Sequence, residues 1–73
     1  MGFATPTKIE RLRVDQGLTY LELAQRAGVD DNTVARYARG KVQRPRMLTL
    51  KRIADVLGVD VWELAADYDG VQT

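Results

Sequence analysis

The stretch that decides the fold is "LTYLELAQRAGVDDNTVARYARGK", residues 18–41. Its apolar residues recur at three- and four-residue steps in two short runs, first Leu23, Ala24 and Ala27, then Val34, Tyr37 and Ala38. A glycine follows each run, at 28 and 40, where a helix commonly ends in a left-handed residue. Thr19 with Glu22 three residues later forms a capping-box pattern. The stretch therefore predicts helices over residues 20–27 and 31–39, joined by a turn at residues 28–30.

The same signals predict three more helices in the rest of the chain. Gly17 and Gly58 mark further helix ends. Thr5 before Pro6 indicates a helix start, and so does Asp60 with Glu63 three residues on. The other starts are placed at Asp30, as a capping side chain, and at Arg46–Met47. Because strand signals are weak, we expect an all-α, compact five-helix domain, with helices near residues 6–16, 20–27, 31–39, 47–57 and 61–66.

One face of each predicted helix contributes to a single core. Its expected members are Ile9, Leu12, Leu18, Leu23, Ala24, Ala27, Val29, Val34, Tyr37, Ala38, Leu50, Ile53, Ala54, Leu57, Val59, Trp62 and Leu64. Tyr37 and Trp62 are assigned to the core rather than to ligand stacking, because both lie in phase with apolar neighbours. The domain is expected to span residues 6–66, after a flexible N-terminus of residues 1–5 and before a C-terminal tail of residues 67–73.

Composition excludes several kinds of chemistry. The chain of 73 residues contains no cysteine and no histidine. Disulfides, thiolate chemistry, the common zinc sites and histidine acid–base catalysis are therefore closed to it. Its acids show no paired spacing beyond cap and surface roles, so we expect no enzyme activity, no metal and no cofactor. With no apolar run near membrane-spanning length and no signal-peptide pattern, we expect a cytoplasmic protein.

The charges are strongly segregated although the formal net charge is only +1. Residues 36–52 hold seven of the eleven basic residues and no acid, whereas residues 53–73 hold five acids and no base. With Val34 and Ala38 turned inward, Asn32, Arg36 and Arg39 share the outward face of the third helix. Further cations follow in a loop that Pro45 stiffens. Such a patch suits phosphate binding, although charge alone leaves a merely solvated surface equally open.

The arrangement of two short capped helices across a glycine turn is that of a helix-turn-helix. From about Ile9 to Leu64 the chain resembles the Cro and phage-repressor class of helix-turn-helix domains, the XRE family. The resemblance lies in "IERLR", "GLTYLELAQRAGV", "TVARYARGK" and "LKRIADVLGVDVWEL", and in "KVQRPR", which is similar to the basic loop of lambdoid repressors. It implies a lambda-repressor-like fold with the motif in the second and third helices. It also implies a sequence-specific, double-stranded DNA-binding regulator of transcription that occupies an operator. A protein-interaction module or antitoxin-type partner that keeps the fold is the competing interpretation.

The resemblance also implies roles for individual residues. Base contacts are expected from Asp31, Asn32, Thr33 and Arg36, and phosphate contacts from Thr19, Tyr20, Arg39, Lys41, Gln43, Arg44 and Arg46. For Asp31 we favour stabilisation of its own helix terminus over base contact. Tyr20 stands where the family commonly has glutamine. Ala38 replaces an acid that pairs in the family with the arginine matched by Arg13, which is then left to water, a carbonyl or DNA.

The last expectation concerns self-association. One recognition helix spans few base pairs, so a weak, DNA-assisted homodimer on a palindromic operator is expected. Its contact is placed within residues 61–66, at Val61, Trp62 and Leu64. The tail from Asp67 is expected to fray, because Asp67 and Asp69 flank Tyr68 and would repel their copies across a two-fold axis.

Overall fold

The residues that the structure describes form five α-helices, as predicted. The computed structural model describes residues 6–68, 70 and 71. The helices are α1 (Lys8–Asp15), α2 (Tyr20–Ala27), α3 (Asp31–Ala38), α4 (Met47–Leu57) and α5 (Val61–Ala65). The class is all-α, with α2 packed closely against both α3 and α4. Among the residues that the structure describes, no helix has the length and apolarity needed to cross a membrane.

Both ends of α2 are determined by their capping residues. Thr19 Oγ1 accepts a hydrogen bond from the Glu22 N–H at 3.0 Å, and the Glu22 carboxylate accepts from the Thr19 N–H at 2.9 Å. The hydrogen bond from the Thr19 N–H stabilises the ionised carboxylate, and it is the main cause that holds the pKa of Glu22 below its usual range. At the other end Gly28 adopts φ +71°, a left-handed conformation that strains any residue with a Cβ. The capping box and the glycine stop are both as predicted.

At the starts of α1 and α3, the capping group is not the one that the sequence predicts. α1 begins at Lys8, because the Thr7 hydroxyl accepts from the Glu10 N–H at 3.1 Å. The predicted cap at Thr5 lies outside the described residues. Asp30 does occupy the cap position of α3, but its side chain makes no capping hydrogen bond. Asp31 Oδ1 instead accepts from the Asn32 N–H at 2.9 Å, so an acid inside the first turn serves the N–H groups there.

A single core receives side chains from all five helices. The buried apolar residues are Ile9, Leu18, Leu23, Ala24, Ala27, Val34, Tyr37, Ala38, Leu50, Ile53, Ala54, Leu57, Leu64 and Ala65. The predicted members Leu12, Val29 and Val59 are partly buried against this core. Ala65 was not predicted.

The prediction that Trp62 lies in the core is wrong, because its exposed fraction is 66%. Successive helical residues are about 100° apart, so Trp62 lies about 200° around α5 from Leu64. Leu64 is fully buried, and this directs Trp62 toward solvent. A helix of five residues has one apolar face, and Leu64 and Ala65 occupy it.

The prediction that the terminus frays from residue 67 is wrong for Asp67 and Tyr68. Asp67 Oδ2 accepts a hydrogen bond from the Lys8 N–H at 2.6 Å, at the first residue of α1. The Tyr68 ring packs against the Tyr37 ring with 5.9 Å between centroids. An acid at a helix N-terminus and the packing of the partly buried Tyr68 on the buried Tyr37 both stabilise the segment, and sequence patterns show neither contact.

Candidate nucleic-acid interface

The outward face of α3 is polar because its apolar residues are committed to the core. Val34, Tyr37 and Ala38 are buried, whereas Asn32 and Arg36 are exposed. Asp31 is also exposed, and Thr33 is half-buried. Four side chains predicted to contact bases are therefore borne by α3, three of them exposed and one partly so.

An open groove of about 600 Å³ separates this face from the loop between α3 and α4. Its lining residues are Thr33, Arg36, Tyr37, Lys41, Val42, Gln43, Arg44, Arg46 and Thr49. Four of them are cations and none is an acid. The groove thus brings two predicted base-contact residues, on α3, together with four predicted phosphate-contact residues, on the loop.

The loop is held against α3 at both of its ends. At the first, the Lys41 N–H donates to the Arg36 carbonyl at 2.9 Å. At the second, the Arg46 N–H donates to Tyr37 Oη at 2.9 Å, and Pro45 beside it is fully buried. The cationic side chains of the loop remain exposed. Because the loop backbone is already fixed and its cationic side chains are exposed, binding to a phosphate backbone requires little further ordering of the loop.

Three predicted phosphate-contact residues, Thr19, Tyr20 and Arg39, lie outside the groove. Thr19 uses its hydroxyl in the capping box. The Tyr20 ring has the Arg39 guanidinium 5.8 Å from its centroid and the Arg13 guanidinium at 4.3 Å. The ring therefore links the first residue of α2 to the end of α3 and to α1.

The expectation that Arg13 has no acidic partner is wrong. Its Nε and Nη2 donate to the two carboxylate oxygens of Glu10 at 2.9 and 2.8 Å. Its Nη1 donates to the Leu18 carbonyl at 2.7 Å, so the carbonyl partner named among the possibilities is present. Tyr20 Oη also donates to Glu10 Oε1, at 3.3 Å. The three-residue spacing of Glu10 and Arg13 on a helix was the signal available in the sequence.

The contacts among Glu10, Arg13 and Tyr20 shift the pKa values of Glu10 and Arg13. The hydrogen bond from Arg13 is the main cause that lowers the pKa of Glu10, and burial opposes it. The same bond raises the pKa of Arg13. Both groups are therefore charged at neutral pH and hold each other in place.

The residues predicted for a dimer contact are separated by the structure. Leu64 is fully buried beneath α5, so its assignment to a contact surface is wrong. Leu64 follows Val61 by about one helical turn, and its side chain points into the core. Val61 is half-buried and Trp62 is exposed, and both stay a prediction. The part of the chain that is described shows no cluster of metal-binding side chains.

Two short helices that meet across a glycine turn, with a basic groove beside the second, define a helix-turn-helix domain. The chain belongs to the XRE-type helix-turn-helix family, whose model, described as Helix-turn-helix, matches residues 9–64. It is 38% identical over 61 residues to the cryptic phage CTXphi transcriptional repressor RstR of Vibrio cholerae. That match covers 84% of this chain and 54% of the repressor, so the chain spans about half the length of this curated relative. No solved structure matches the chain. The predicted family is confirmed.

Proposed function

We propose that this chain binds double-stranded DNA sequence-specifically and represses transcription by occupying an operator. The observation that carries the proposal is the groove in which α3 and the basic loop face one another. The relative's description as a transcriptional repressor supports the direction of regulation. The site of action is the DNA of a bacterial cell, in its cytoplasm or nucleoid, and neither a cofactor nor a small-molecule substrate is required.

The side chains of α3 suit the edges of bases in the major groove. A guanidinium such as that of Arg36 can donate two hydrogen bonds to guanine. The amide of Asn32 can pair with adenine, and the methyl group of Thr33 can meet that of thymine. Asp31 accepts from its own helix terminus and adds negative charge, so we assign it to weakening non-specific binding rather than to base recognition.

The loop side chains suit phosphates. Lys41, Arg44 and Arg46 are exposed cations on one rim of the groove, with the Gln43 amide between them. Each cation that neutralises a phosphate releases counterions, and this makes the affinity strongly dependent on salt. Arg39 and Tyr20 would extend the same phosphate contact toward the start of α2, next to Thr19.

We further propose a weak two-fold homodimer on a palindromic operator. Val61 and the exposed Trp62 are the contact residues that remain after Leu64 is removed from the set. A contact of this size is too small to hold a dimer in dilute solution, so DNA supplies most of the pairing by raising the effective concentration.

The test is selection of bound sequences from random duplex DNA, followed by binding to the selected site at several salt concentrations. We expect enrichment of a palindromic sequence with half-sites one helical turn apart, and an affinity that falls steeply with salt. No enrichment together with salt-insensitive binding would overturn the proposal in favour of a protein-interaction module. Enrichment of a single, non-palindromic half-site would overturn the dimer alone.

A further inference from the structure

The C-terminal end of α3 is completed by groups from outside the helix-turn-helix. A helix leaves its last carbonyls without intrahelical donors. Here the Ala38 carbonyl accepts from the Thr7 hydroxyl at 2.6 Å, and the Tyr37 carbonyl accepts from the Tyr68 hydroxyl as well as from the Gly40 N–H. Two distant parts of the chain, just before α1 and just after α5, therefore secure the same end of α3.

Tyr37 connects this end of α3 to the basic loop. Its carbonyl accepts from Tyr68 and its ring packs against the Tyr68 ring at an interplanar angle of 59°. At the far side of the ring, Tyr37 Oη accepts from the Arg46 N–H at 2.9 Å. Tyr37 is buried, so a displacement of its ring cannot be absorbed by solvent and passes to the loop.

We infer that Tyr68 is a positioning residue for the DNA-contact surface. Through its contacts with Tyr37, it holds the loop that carries Arg44 and Arg46 at a fixed distance from α3. It touches neither the groove nor, by this account, the DNA. It acts through Tyr37. The expected effect of Tyr68 on DNA binding rests on the proposed function, whereas its effect on the position of the loop does not.

The protonated phenol is the active form of this contact. Burial, and to a smaller extent the charge of Asp67, raise the pKa of Tyr68, so its hydroxyl stays a donor throughout the physiological range. The segment is also anchored independently, because Asp67 accepts from the Lys8 N–H at 2.6 Å. Removing the hydroxyl alone therefore leaves the segment attached and takes away the donor to the Tyr37 carbonyl, together with the interaction of that hydroxyl with the Thr7 side chain.

The test compares Tyr68→Phe, which keeps the ring, with Val59→Ala, which trims an apolar group packed on the core in the α4–α5 turn. Amide hydrogen exchange is measured in the free protein at the Arg46 N–H and at the Val29 N–H, which donates to the Ala24 carbonyl at 3.0 Å. We expect Tyr68→Phe to speed exchange at Arg46 relative to Val29 by about two- to tenfold, the ratio that corresponds to one hydrogen bond. Val59→Ala should change both amides alike.

Binding to the selected duplex is measured for the same proteins. We expect Tyr68→Phe to lose roughly two- to tenfold in affinity, because the competent loop position is less populated, while Val59→Ala binds as the wild type does. Equal changes at the two amides, or equal affinity losses in the two variants, would overturn the inference. If the wild-type chain binds no duplex, the proposed function fails, and the exchange ratio still decides whether Tyr68 positions the loop.

Discussion

Replacing Arg13 with alanine should lower the free energy of unfolding by about 2–4 kcal/mol, since three contacts end together. The Arg13 side chain is only 17% exposed. Its charged hydrogen bond to the Leu18 carbonyl is worth about 1.5–3 kcal/mol. The paired bonds to Glu10, discounted for partial exposure, add about 0.2–1 kcal/mol. Stacking on Tyr20 adds about 0.5–1 kcal/mol, and because the contacts share one side chain, the total is less than the sum of their upper limits.

The assay is urea unfolding followed by circular dichroism at neutral pH. Arg11→Ala, an exposed arginine on the same helix, is the matched control and should change stability by less than about 0.5 kcal/mol. Arg13→Lys keeps the charge but not the planar fork, and should fall between the two. A loss for Arg13→Ala no larger than that for Arg11→Ala would refute the reasoning, because it would mean that the cluster contributes no net stability.

Three further predictions concern single charged or aromatic residues. Asp31→Asn should tighten binding to random duplexes with little change in base preference, since it removes a negative charge near phosphates; competition binding measures both. The stability difference between wild type and Glu10→Gln should be largest near neutral pH and shrink as pH falls below the ordinary value of 4.5. The sign follows because the folded pKa of Glu10 is lowered, so the unfolded chain binds the proton first and acid favours unfolding; urea melts at several pH values measure it. Trp62→Ala should leave stability within about 0.5 kcal/mol, because the side chain is exposed, but should reduce cooperative binding to a two-half-site duplex.

Each of these has an outcome that would contradict it. Loss of preference for a cytosine in Asp31→Asn would make Asp31 a base reader. A stability difference for Glu10→Gln that grows in acid would show that the carboxylate is not stabilised by Arg13. Unchanged cooperativity in Trp62→Ala would show that Trp62 is not part of the dimer contact. Light scattering at micromolar concentrations should show mostly monomer for the wild type and for the variant.

Local signals in the sequence were enough to predict the helix-turn-helix. The Thr19–Glu22 capping box and the left-handed Gly28 act on residues close to them in the sequence, so local spacing alone determines where α2 begins and ends. The exposure of Arg36 followed in the same way from the helical phase of Val34 and Ala38. Such local signals do not predict contacts between residues that are far apart in the sequence.

Tertiary packing decided two of the features that the sequence did not predict, the contact of Tyr68 and the exposure of Trp62. The hydrogen bond from Tyr68 to Tyr37 joins residues 31 positions apart, and no local pattern marks it. Trp62 was misplaced because an apolar residue in a five-residue helix can face either way until its neighbours are positioned. The resemblance places the acidic partner of Arg13 at position 38, which is alanine here, whereas the three-residue spacing of Glu10 and Arg13 is a local signal for the pair that forms.

The central claim is that α3 reads bases while the loop holds phosphates, and it is tested most directly by comparing Arg36→Ala with Arg44→Ala on the selected site and on random duplexes over a range of salt. Arg36→Ala should cost about 1–3 kcal/mol on the selected site and relax preference at one position. Arg44→Ala should weaken binding to all sequences alike and reduce the salt slope by about one. Equal, sequence-blind losses from the two substitutions would contradict the account.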